Sequence, residues 1–102
     1  GIEVYQGKYI AYSLGNFCFG GNSSPSDMDT MIFQQTFSVT ADGAVSDGEI
    51  QIIPCSISSV NSTNNYQPTP LSGEAADAVI RKVAALSSAP SITWMDSYTG
   101  PR

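Results

Sequence analysis

Thr30-Met31-Ile32-Phe33-Gln34-Gln35-Thr36-Phe37-Ser38-Val39-Thr40 is the stretch that decides the fold. Met31, Phe33, Gln35, Phe37 and Val39 alternate with Ile32, Gln34, Thr36, Ser38 and Thr40. A strand sends successive side chains to opposite faces, so the first, largely apolar set is expected to face a core. Ala41-Asp42-Gly43-Ala44 has the chemistry of a hairpin turn. Residues 49–55 then return as a strand, with the β-branched bulk of Ile50, Ile52 and Ile53. Pro54 lacks an N–H donor, which places it at a strand end, an edge or a bulge.

Upstream, a shorter hairpin is expected. Ile2-Glu3-Val4-Tyr5 and residues 8–14 are apolar, aromatic and β-branched, and Gly7 stands where a tight turn needs a positive φ. Neither face of the second segment is strongly polar, so it is expected to be covered on both sides. Gly15-Asn16 breaks the run, Phe17-Cys18-Phe19 briefly resumes it, and residues 20–27 are dense in loop formers.

Downstream, residues 56–71 are rich in Ser, Asn, Thr and Pro, and read as a functional loop or a packed crossing segment. Ser72 can cap a helix with Glu74 in its first turn. Ala76, Val79, Ile80, Val83 and Leu86 form its apolar stripe, with Glu74, Asp77, Arg81 and Lys82 off it, so the helix should lie on a sheet. Residues 91–96 add a short strand.

The sum is an α+β fold of mainly antiparallel β-hairpins, four or five strands in all, with one C-terminal amphipathic helix. Along the chain, residues 1–19 are the first hairpin and its following turn and 29–55 the second hairpin. Residues 56–72 are a loop, 73–87 the helix and 88–102 a tail.

A chain of 102 residues is one domain's worth. Four Lys and Arg stand against nine Asp and Glu, for a net charge of -5, which gives no basic footprint for nucleic acid and no attraction to an anionic membrane. With no histidine, a Ser-His-Asp triad, a Cys-His pair and a His-ligated metal are excluded within this chain. Charged residues are 13% of the chain, against a usual ~25%, and polarity comes from Ser, Thr, Asn and Gln, which suggests an extracellular or cell-surface setting. The opening Gly1, leading straight into a strand, is expected to mark a piece of a longer protein.

Cys18 and Cys55 have two readings. A disulfide between neighbouring strands would stabilise the fold by about 4 kcal/mol on the chain-entropy model. The alternative is two small buried thiols. As a nucleophile, Cys18 has no basic neighbour in sequence to activate it. Asp27 and Asp29 offer carboxylates to a hard cation, but such ions need six or more oxygens, and turn formation is the simpler role. Ser13-Leu14-Gly15-Asn16-Phe17 stands apart, because a Ser-x-Gly-Asn turn directly after a strand presents backbone N–H groups and an amide side chain where sheets commonly place sites. The simpler account is that Gly15-Asn16 only makes the turn.

Residues 2–17, Ile-Glu-Val-Tyr-Gln-Gly-Lys-Tyr-Ile-Ala-Tyr-Ser-Leu-Gly-Asn-Phe, resemble the segment "IE-x-Y-x-GK-x-I-x-YSLGNF" of the CapA/PgsA family of bacterial capsule and poly-γ-glutamate synthesis proteins. Residues 29–35, 53–56 and 65–71 are similar to clostridial-type members. The resemblance implies a fragment of a metallophosphoesterase-type (calcineurin-like) β-sandwich flanked by helices, with two divalent metal ions held by Asp, Asn and His. The family's last His motif, G-x-x-P-H, lies upstream of the segment matching Ile2, so those ligands are not in this chain. What carries over is the turn: the resemblance places Ser13, Gly15 and Asn16 as cleft-lining groups.

The function so implied is that of the C-terminal part of a capsule or poly-γ-glutamate biosynthesis or export protein, completing the fold and inactive alone. The parent would be a metal-dependent phosphoester hydrolase or a non-catalytic relative, anchored to the membrane by an upstream segment. Its partners would be the rest of the parent chain and an anionic capsule polymer, with no nucleic acid and no membrane contact by this segment. Self-association in isolation is expected, because strands have lost their neighbours. The rivals are a glycan- or peptide-binding β-rich module and a purely structural cap.

Overall fold

The computed structural model describes residues 1–87. The strand expected over 91–96 lies outside them. Strands β1 (Ile2–Tyr5) and β2 (Lys8–Ala11) pair antiparallel, with Ile2 opposite Ala11 and Tyr5 opposite Lys8. Gln6 and Gly7 join them at φ 49° and 75°, the double left-handed turn whose twist matches that of the strands. The second strand is shorter than expected: Tyr12 N–H still donates to Gly1 C=O, where the ladder ends. It is also fully packed on one side only. Tyr9 and Ala11 pack on the core, while on the other side Lys8 is exposed and Ile10 only half-buried.

The second sheet has the order β3-β4-β5, with β3 at Asp29–Val39, β4 at Val45–Ser56 and β5 at Thr69–Pro70, all antiparallel. The β3–β4 turn closes with Gly43 N–H on Thr40 C=O (3.0 Å) and Gly43 at φ 88°. Strand β4 begins at Val45, four positions before the expected 49, because Ser46 and Asp47 pair with Ser38 and Phe37. Their polarity hid that pairing from the apolar alternation. Between Gln35↔Ile50 and Phe37↔Asp47 the register shifts, so Thr36 faces both Gly48 and Glu49 across a bulge. Gly48 is needed there, since a Cβ would lie 2.9 Å from the Thr36 carbonyl oxygen.

Pro54 sits in the central strand, opposite Met31. Its carbonyl accepts from Leu71 N–H (2.9 Å), so its missing donor points to the side where β5 has just ended. Strand β5 lies inside the segment expected to be wholly loop. The rest of that segment is tied by its own side chains. The Ser58 hydroxyl donates to Thr63 C=O (2.7 Å), and Asn64 N–H and Thr63 Oγ1–H both donate to Ser23 C=O.

Helix α1 (Gly73–Ala85) buries Ala76, Val79, Ile80 and Val83. These meet Ile2, Met31, Ile50 and Ile52, so α1 and the first hairpin share one face of the β3-β4-β5 sheet. Each fully buried Val or Ile contributes about 1.5–3 kcal/mol. Two expectations fail at the helix ends. Ser72 holds the N-cap position, but its hydroxyl makes no capping bond, and Gly73 takes φ 58°. Leu86 becomes the C-cap residue and is 68% exposed, because the helix stops before the stripe reaches it. Phe37 and Val39 are likewise 55% and 67% exposed. They lie on the predicted face, but the hairpin runs on past the end of the core.

Both cysteines are free: Cys55 is buried in β4, whereas Cys18 is exposed. The structure holds no Cys18–Cys55 bond, and of the two thiols that the alternative placed inside only Cys55 is buried. Phe17 and Cys18 form a turn, not the expected strand.

Candidate functional site

The turn after β2, the start of β3 and the last turns of α1 enclose a depression of about 190 Å³. Gly15 fixes its first wall. At φ 79° it takes a conformation that L side chains rarely adopt, and a Cβ there would lie 3.1 Å from Thr30 Oγ1 and 3.2 Å from the Asp29 carbonyl oxygen. The same Thr30 hydroxyl donates to Leu14 C=O (2.7 Å), and Gly15 N–H donates to Ser13 Oγ (3.3 Å). Glycine therefore does more than turn the chain: it lets the turn seat directly on β3.

The second wall is built from Asp27 and Asp29. Asp27 Oδ1 accepts from Asp29 N–H (3.0 Å), the local turn expected from the sequence. Lys82 Nζ, from α1, donates to Asp27 Oδ2 (2.9 Å) and Oδ1 (3.1 Å), and also to Asp29. The Asp29 N–H and then the ammonium hold the Asp27 carboxyl below its usual range, and the two carboxylates raise Lys82 above its own. The apolar lining comes from Leu14, Met31, Val79 and Val83.

Of the three residues carried over by resemblance, Ser13 and Gly15 line this depression. Asn16 is exposed and does not. Sequence reasoning missed Lys82, which looked like a solvated residue off the apolar stripe. Its partners are 53 and 55 positions away, and no local pattern reports such a pairing. Ser87 was missed for the same reason. Its hydroxyl accepts from Ile2 N–H (2.9 Å) and donates to Val83 C=O (2.6 Å), joining the start of β1 to the end of α1.

A two-metal centre does not fit these residues. The one close carboxylate pair at the depression is held by an ammonium, and among the described residues no three Cys, Asp or Glu side chains group as ligands. Ser13 Oγ is engaged in the turn, and no histidine exists to activate it. The arrangement is a polar rim over an apolar floor, suited to holding elements together. Comparison of the chain with family models, with curated proteins and with solved structures gives no match.

Proposed function

We propose that the chain is a non-catalytic portion of a CapA-like capsule or poly-γ-glutamate biosynthesis or export protein, where it completes a metallophosphoesterase-type sandwich at the cell surface. The resemblance of residues 2–17 motivates the family. The observation that carries the completing role is the outward side of the first hairpin, where Tyr5 and Tyr12 are 58% and 67% exposed beside the half-buried Ile10. Apolar side chains gathered on one exposed hairpin mark a surface that meets another. The rest of the parent chain is the partner that the resemblance supplies, and by the same resemblance it would hold the two divalent metal ions.

An anionic polymer would be handled mainly by the rest of the parent. Lys8 is paired with Asp47 and Lys82 with Asp27 and Asp29, so two of the four basic residues are already committed to carboxylates. The test is complementation in trans. A CapA-family protein truncated just before the segment resembling Ile2 is co-expressed with this chain. Co-purification as a stoichiometric, soluble complex is expected, and Tyr5→Lys with Tyr12→Lys should abolish it. Absence of any complex overturns the reading. So does metal-dependent phosphatase turnover by this chain alone.

A further inference from the structure

We propose that the outer edge of β3 pairs antiparallel with the same edge of a second copy of this chain. In the order β3-β4-β5, β3 is an edge strand. The direction of its backbone groups follows from the pairing. Thr40 N–H donates to Ala44 C=O (2.9 Å), so Thr40 faces β4, and alternation turns Val39 and Phe37 outward. At the other end Pro54 faces β5, so its partner Met31 also faces outward. The bulge adds its extra residue to β4, leaving the alternation along β3 unbroken from Met31 through Phe33 and Gln35 to Val39. Among the described residues, no backbone group outside the β3–β4 ladder bonds to β3 from Met31 to Val39.

The sequence of this edge lacks the usual protection. From Thr30 to Ala41 there is neither a charge nor a proline, whereas exposed edges are normally blunted by one or the other. Edge strand β5 shows the contrast, since it carries Pro70. The unpaired groups call for an extended strand, and the exposed Phe37 and Val39 call for apolar neighbours.

The same edge of a second copy supplies both. A two-fold axis at Gln35 sets Phe33 opposite Phe37, the pairing ending before Met31, which is only 5% exposed where the Leu14–Gly15 turn seats on β3, and it keeps carboxylates off the seam although each chain has a net charge of -5. The product is one continuous sheet of six strands, β5-β4-β3-β3′-β4′-β5′. This surface is separate from the outward side of β1–β2, so the two readings can fail independently.

Sedimentation velocity of the full chain across micromolar to sub-millimolar concentrations tests it. A monomer–dimer equilibrium is expected, with Phe37→Lys and Val39→Lys each raising the dissociation constant by at least about tenfold. Val60→Lys, at an exposed position outside the sheet, should leave it unchanged. Hydrogen exchange on the unmutated chain supplies a readout that no folding defect can mimic. The amides of Phe33, Gln35 and Phe37 should gain protection with concentration, while that of Gln34, turned toward β4, should be protected throughout. A monomer at all concentrations overturns the proposal. A dimer indifferent to both lysines, open-ended assemblies, or concentration-dependent protection confined to β1–β2 would each overturn it too.

Discussion

Gly15 and Gly48 hold their places for different physical reasons, and the difference is measurable. At Gly15 the backbone is left-handed and the space is tight, with Thr30 and Asp29 against the missing side chain. At Gly48 the obstacle is the Thr36 carbonyl, a backbone atom that cannot swing away. Gly20 has open space around its Cα and no positive φ. Gly15→Ala and Gly48→Ala should each lower stability by about 1–3 kcal/mol, while Gly20→Ala should be neutral or slightly stabilising. Urea denaturation of the three variants checks this. Equal effects at all three positions would mean that the close approaches to Thr30 and Thr36 do not constrain the fold. Gly15→Ala should also loosen the seat of the turn on β3, seen as faster exchange of the Gly15 and Thr30 amides.

Among the elements, α1 and the loop leading into β3 are joined through Lys82, and that joint should respond to pH from both sides. Asp27 titrates below its usual range in the folded chain, so its contribution is present above ~4 and is lost as pH falls through the lowered value. Lys82 titrates above its usual range, so its contribution is present below ~10.4 and is lost as pH rises through the raised value. Because the partners are substantially exposed, screening limits the joint to roughly 1 kcal/mol or less. Lys82→Met should flatten both limbs of the stability–pH curve relative to the unmutated chain, whereas Asp27→Asn should flatten the acid limb and weaken the alkaline limb only in part, because Asp29 still holds Lys82. Thermal melts from acid to alkaline pH test this, and an unchanged acid limb in Asp27→Asn would refute the assignment.

This element also shows what the sequence could disclose. Periodicity located α1 and its buried face, because Ala76, Val79, Ile80 and Val83 repeat at the helical spacing. It located the face of β3 in the same way. It did not show where the core stops, and hence Phe37, Val39 and Leu86 were expected inside. Period reports direction, whereas burial depends on what other elements reach. The turn residues Ser13 and Gly15 were legible as a feature from local chemistry, but the side chain that completes their surroundings comes from the helix.

At the scale of the molecule, one small core is shared unequally. Sheet β3-β4-β5 and α1 supply Met31, Ile50, Ile52, Ala76, Val79, Ile80 and Val83, whereas the first hairpin supplies only Ile2 among fully buried residues. Its further ties include the partly buried Ala11, the Tyr9–Phe33 ring contact (centroids 6.4 Å apart), the Lys8–Asp47 pair and the Ser87 bridge to Ile2 N–H. The surface pair is worth at most about 1 kcal/mol, so Ile2 is the main apolar anchor. Ile2→Ala, removing a side chain only 1% exposed, should cost about 2–4 kcal/mol. That loss should appear first as local opening of β1–β2, with amides across residues 3–11 exchanging faster while those of Ile52 and Ile80 keep their protection. Ile80→Ala, at 0% exposure between helix and sheet, should cost a similar amount but lower protection everywhere, because it strikes the part of the core that all the other elements use. Hydrogen exchange resolved by residue separates the two patterns. Global loss of protection in Ile2→Ala would show the hairpin to be an integral part of the cooperative unit. Local loss would show a hairpin docked on a separately stable body, whose exposed Tyr5 and Tyr12 a partner surface would then hold in place.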